Sequence, residues 1–213
     1  MKRSRFWAGW LLCFLVIILS NFSLGLASIR SIFFVDVARV EANQKGWENS
    51  WAAGLGASFP LTKYLLFFLN FSRWRFNVSP EDTRLLAGHL TLSPLSSGIY
   101  FLLFPRSFVS PVLSWGGGYI FSQYRPTEKG YDVTIPEIIK LSKKVAGNFS
   151  WDVGAGIFTQ VSRRLSLWFQ AERHQSFLKI ETTVVDLNFG IIKTRQRFKF
   201  SPTLYRLGIQ VNF

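Results

Sequence analysis

A chain of 213 residues is long enough for one domain or two small ones. Aromatic residues make up 17% of it and charged residues only 17%, against roughly 25% charged in an ordinary globular protein, and the formal net charge is +13. The one cysteine, Cys13, lies near the N-terminus, which excludes disulfide, thiol and Cys-ligated metal chemistry from the rest of the chain. The basic excess points to a polyanionic partner, either nucleic acid or a phosphate-rich membrane surface.

Lys2, Arg3 and Arg5 precede an apolar run from Phe6 to Leu19, and Gly25-Leu26-Ala27 supplies small residues at signal-peptidase spacing. This tripartite order predicts a signal peptide over residues 1–27, cut after Ala27, with an uncleaved anchor as the alternative. Cys13 is followed by more apolar residues and preceded by Leu11-Leu12, so it does not read as a lipoprotein site. Export argues against a nucleic-acid partner and leaves residues 28–213 as one domain. No second uninterrupted apolar run of ~18 residues offers a spanning helix.

Strands follow from period-2 alternation. Residues 32–41 set Phe33, Val35 and Val37 against Phe34, Asp36 and Ala38. After a polar turn (residues 42–49), residues 50–59 set Trp51, Ala53 and Leu55 against Ala52, Gly54 and Gly56, a nearly side-chain-free face suited to a narrow barrel interior. Strand three covers about 64–76. Strand four covers about 84–104, where Pro94 and Ser96-Ser97-Gly98 suggest a bulge or bend. Strand five covers 111–124. In the long basic connection that follows, Pro136 to Val145 reads as a short helix, with Pro at its first turn. Strand six covers 148–161 and strand seven 165–177. A long segment, 178–202, precedes the closing strand Tyr205 to Phe213, in which Tyr205, Leu207, Ile209, Val211 and Phe213 alternate with Arg206, Gly208, Gln210 and Asn212.

Eight strands result, and their connections alternate between long and tight from the first loop onward. Outer-membrane barrels have this asymmetry, with short turns at one end, longer loops at the other and an even strand number. The predicted fold class is therefore all-β: an eight-stranded antiparallel transmembrane β-barrel behind a cleaved signal peptide, a monomer in the outer membrane of a Gram-negative-type envelope.

Four stretches resemble the small outer-membrane barrels of the OmpX-, OmpW- and OmpA-barrel-like group. They are Gly54-Leu55-Gly56-Ala57-Ser58-Phe59-Pro60-Leu61-Thr62, Ser110-Pro111-Val112-Leu113-Ser114-Trp115-Gly116-Gly117-Gly118-Tyr119, Trp151-Asp152-Val153-Gly154-Ala155-Gly156-Ile157 and Tyr205 to Phe213. The resemblance is a loose pattern over nearly the whole mature chain and implies a fold more than an activity. It also implies that Phe213 is the signal read by the barrel-assembly machinery.

With the apolar set facing lipid, the lumen receives Asp36, Asn70, Asp152, Gln170, Glu172, His174 and Arg206. The closing strand lies between strands seven and one, so Arg206 can reach Glu172 on one side or Asp36 on the other, forming a polar plug. Glu172, His174 and Ser176 form the one constellation that hints at catalysis, similar to the His-x-Ser pair of outer-membrane lipid A deacylases. Along one strand face such residues stand ~7 Å apart per step, too far for a Ser–His hydrogen bond. His89 with Thr91 is a weaker candidate still. No metal or cofactor is expected.

Positive charge concentrates at the loop end: Arg73 and Arg75, then Lys140, Lys143 and Lys144, then Lys193, Arg195, Arg197 and Lys199. Residues 193–199 read as a hairpin extension projecting beyond the membrane, and the expected partners are outer-membrane lipid and lipopolysaccharide phosphates. The function read from the sequence is a non-enzymatic envelope or surface-interaction barrel. A narrow, porin-like conduit for small hydrophobic molecules and a lipid A-modifying hydrolase are the alternatives.

Overall fold

The structure is a computed structural model that describes residues 32–79, 85, 87–105, 107–127, 138–162, 164–186 and 188–212. The expected signal peptide and Phe213 lie outside these residues. Alternation becomes ten strands: β1 (Ile32–Glu41), β2 (Ser50–Pro60), β3 (Leu65–Val78), β4 (Gly88–Leu102), β5 (Val109–Pro126), β6 (Ile138–Ala146), β7 (Asn148–Gln160), β8 (Leu165–Asp186), β9 (Gly190–Phe200) and β10 (Thr203–Asn212). Every pairing is antiparallel. Neighbours run β1-β2-β3-β4-β5-β7-β8-β10, and β10 returns to β1, closing an eight-stranded all-β barrel.

β6 and β9 are the two strands outside the barrel wall. β8 runs nine residues past the expected end at Phe177, and its far half pairs with β6 on one side and β9 on the other. The segment expected as a helix over Pro136–Val145 is therefore strand β6 from Ile138 onward. The reason is local: β8 offers an open edge there, and a strand with β-branched Ile138, Ile139 and Val145 satisfies its backbone by pairing with it. A tertiary partner overrides a weak helical preference. Gly147 separates β6 from β7, and Ser201-Pro202 separates β9 from β10. Both strands flanking β8 thus break near the base of a three-stranded extension.

Of the bulge or bend expected around Pro94, the ladders show no bulge. The β3–β4 pairing lapses at Ser93 and Pro94, where proline has no N–H to donate, but resumes in the same register, Phe71↔Leu95 and Trp74↔Leu92. The β4–β5 ladder is continuous through it.

The barrel interior has three layers. At the tight-turn end Phe68 stacks on Tyr100 at 4.4 Å, Tyr100 meets Phe158 edge-on, and Phe34 meets Trp168 edge-on at 5.7 Å. A polar belt fills the middle. At the loop end Val40, Trp74, Phe76, Leu90, Leu92, Ile120, Leu178, Phe200 and Leu204 form an apolar core. Trp47 lies over this core against Phe76 and Phe200, so the loop expected to be simply polar contributes the cap of the mouth.

Outside, the pattern inverts along the barrel. On the tight-turn side of the polar belt, and for a step or more beyond it, the exposed side chains are apolar: Val35, Leu55, Leu69, Leu113, Trp115, Phe169, Ile209. Toward the loop end β3 puts Arg73, Arg75 and Asn77 outside while Trp74, Phe76 and Val78 go inside. β8 likewise puts Lys179 outside and Leu178 and Ile180 inside. An apolar band this extensive around a closed barrel is a lipid-facing surface. The inverted part is built like a water-soluble barrel, so the inversion marks the rim where lipid gives way to water.

Room for the polar belt comes from glycine. Gly54 pairs with Asp36 across β1–β2, and a Cβ at Gly54 would stand 2.6 Å from Asp36 Oδ2. Gly54→Val is therefore expected to displace Asp36 and destabilise the barrel by about 1–3 kcal/mol. The midpoint of urea unfolding, followed by heat-modifiable gel mobility, would measure this; an unchanged midpoint would show that the site has slack.

Candidate functional site

Two groups of polar side chains stand out, one inside the barrel and one outside. Inside, Arg206 on β10 is almost completely buried and lies diagonally between its two neighbouring strands. Its Nε donates to Glu172 Oε2 on β8 at 2.7 Å, and its Nη1 donates to Asp36 Oδ1 on β1 at 3.2 Å. Glu172 Oε2 also lies 3.2 Å from His174 Nε2, and His174 Nδ1 lies 4.0 Å from Asp152 Oδ2 on β7. The chain Asp36–Arg206–Glu172–His174–Asp152 therefore runs across four strands. Below it Gln170 Nε2 donates to Ser114 Oγ. Asn70 is buried at this level too.

Trp74 roofs the belt. Its ring meets the His174 ring edge-on at 5.0 Å, and its Nε1 donates to Ser72 Oγ at 3.0 Å. This contact joins β3 to β8 across the lumen, and the sequence offered no sign of it. Arg206 can stay charged in such a place because two carboxylates share its donors; either partner alone would leave charge buried and unpaired.

The Glu172, His174 and Ser176 constellation is split. Glu172 reaches His174, but Ser176 Oγ donates to the backbone oxygen of Phe149 at 2.9 Å. A serine committed to a main-chain carbonyl, under an apolar core, is not arranged as a nucleophile.

Outside, the basic residues fall on two surfaces. β6, β8 and β9 form an outward face bearing Lys144, Lys179, Lys193, Arg195, Arg197 and Lys199. Glu181 sits among them and pairs with Arg195 at 2.9 Å, and Arg197 lies over the Phe177 ring at 4.1 Å. Lys143 belongs to the opposite side of β6 from Lys144 by strand alternation, and Lys140 lies farther along β6. Arg73 and Arg75 stand apart from this face, exposed on β3. His89 is exposed on β4 and bonded to Asn77, while Thr91 is half-buried beside Arg75.

No family model and no curated protein matches the chain. Several solved structures match its fold. Outer membrane protein OprG from Pseudomonas aeruginosa aligns with a TM-score of 0.61 and 13% identity over 87% of this chain and 94% of its own. Neisserial surface protein A aligns with a TM-score of 0.56 and 11% identity over 87% of this chain and 97% of its own. Outer membrane protein AlkL, solved in lipid bilayers, aligns with a TM-score of 0.52 and 11% identity over 86% and 90%. The chain has the fold of the small outer-membrane β-barrels.

Proposed function

We propose that the protein is a non-enzymatic, non-conducting outer-membrane barrel whose basic extension binds polyanionic partners at the cell surface, lipopolysaccharide above all. In this reading residues 1–27 are a signal peptide and residues 28–213 the barrel domain. The chain crosses the inner membrane, presents Phe213 to the barrel-assembly machinery and works as a monomer without cofactor.

The observation that carries the reading is the outward face of β6, β8 and β9, where among the described residues six cations surround one carboxylate, that of Glu181. Held on a sheet above the rim, they form a preorganised positive surface, and each cation near an anionic membrane surface adds to binding. The interior argues against a conduit. Aromatic rings fill the turn end, the Asp36–Arg206–Glu172 chain lines one side of the middle with Trp74 packed across the lumen against His174, and an apolar core capped by Trp47 fills the mouth. Eight strands leave no spare width around such contents. The engagement of Ser176 with Phe149 argues against a hydrolase.

Binding of the protein to immobilised lipopolysaccharide tests the proposal. Replacing Lys193, Arg195 and Arg197 together by Gln should weaken it on the order of 100-fold, with a shallower salt dependence. Undiminished binding by that variant would remove the extension as the binding surface.

A further inference from the structure

The second basic surface lies on the wall of β3, β4 and β5, at the rim where the exterior turns from apolar to polar. Arg73 and Arg75 project from β3 and Arg125 from β5, all exposed. The ladders set Arg75 beside Thr91 and Thr91 beside Gln123, then Asn77 beside His89 and His89 beside Arg125. Arg73, Arg75, His89, Thr91, Gln123 and Arg125 line one outward-opening pocket of about 200 Å³.

The pocket has a built edge. Asn77 Nδ2 donates to Glu48 Oε2 at 2.7 Å, which turns the Asn77 carbonyl oxygen toward His89 Nδ1 at 2.8 Å. A carboxylate only accepts, so the amide orientation is fixed and His89 Nδ1 must be the donor to Asn77. The ring is thereby held in place, with Nε2 as its remaining polar atom.

Directly on the membrane side of the arginines, the same wall exposes Phe71, Leu95 and Phe121, at 41%, 38% and 52%. Three guanidinium groups above an apolar wall fit an amphiphile: the headgroup needs the cations and the chains need the wall. A free anion would use only the first. Along β3 the two arginines stand about 7 Å apart, close enough for both to bond one phosphate, with Arg125 facing them two strands away.

We propose that this pocket binds the phosphate-bearing headgroup of an outer-leaflet lipid whose acyl chains lie on Phe71, Leu95 and Phe121. The inference rests on the loop end facing the outer leaflet, as in the proposed function, but uses a different surface. It is separate from the extension, and a different set of arginines carries it.

The test is native mass spectrometry of the folded, micelle-embedded protein titrated with diphosphorylated lipid A, with its dephosphorylated form and with inorganic phosphate. Three proteins are compared: the parent, R75Q/R125Q, and K193Q/R195Q/R197Q, each checked for heat-modifiable mobility. Diphosphorylated lipid A should bind R75Q/R125Q at least tenfold more weakly than the parent, on the order of two lost cation contacts. The extension variant should bind it like the parent, because lipid A alone carries only membrane-level phosphates and not the outer part of lipopolysaccharide that reaches the extension above the rim. The dephosphorylated form should not distinguish parent from R75Q/R125Q. Equal binding by R75Q/R125Q and parent overturns the site, as does a loss confined to the extension variant, which would leave the proposed function standing. Full displacement of the lipid by millimolar inorganic phosphate overturns the lipid assignment and marks a free-anion site.

Discussion

Replacing Arg206 with Met is expected to destabilise the barrel by about 3–5 kcal/mol, because it leaves Glu172 and Asp36 buried together without their shared cation. Urea unfolding in lipid vesicles, read as the folded fraction on gels, measures the loss. The informative companion is the triple variant Asp36→Asn, Glu172→Gln, Arg206→Met. It removes both acids along with the cation and should regain most of the stability that the single change loses. A single variant as stable as the parent would mean that the three groups do not depend on one another. A triple variant as damaged as the single would assign the loss to packing rather than to charge.

Trp74→Ala is expected to cost about 3–5 kcal/mol through the cavity left by a completely buried indole. The same unfolding measurement applies. This variant also separates stability from permeation: it removes the roof over His174 but leaves Trp47, Phe76 and Phe200 at the mouth and the Phe68–Tyr100 stack at the other end. Planar-bilayer recordings should therefore stay silent for the parent and for Trp74→Ala alike. Steady single-channel currents from the parent would contradict the closed interior.

The strands that cross the apolar band were legible in the sequence because lipid outside and small or polar residues inside give clean alternation. Ser50 to Pro60 and Asn148 to Gln160 show it plainly. The partners available to Arg206 were legible for a topological reason, since closing eight strands must put the last between the seventh and the first. The far part of β8 was not legible as barrel. There Leu178 and Ile180 turn inward and Lys179 outward, the reverse of the rule that holds toward the tight-turn end. The signal was present in the order Arg73-Trp74-Arg75-Phe76-Asn77, where outward positions change from apolar to charged within one strand. β6 stayed hidden because its partner edge exists only once β8 has been extended. The rim pocket needed registers as well: Arg73 and Arg75 stand two apart in sequence, whereas His89, Thr91, Gln123 and Arg125 join them only through two ladders.

The two hydrogen bonds of Arg206 differ in how much chain each must close. The bond to Glu172 spans 34 residues, and the bond to Asp36 spans 170. Bringing distant segments together carries the larger entropic cost and comes slowly in β proteins. A β8–β10 pair can therefore form first and carry Arg206 with one carboxylate already attached. Asp36 receives its cation only when β1 meets β10, the pairing that turns an open sheet into a cylinder. The seam thus carries an electrostatic latch: the circle is complete when the acid near the chain's beginning takes the second donor of the arginine near its end.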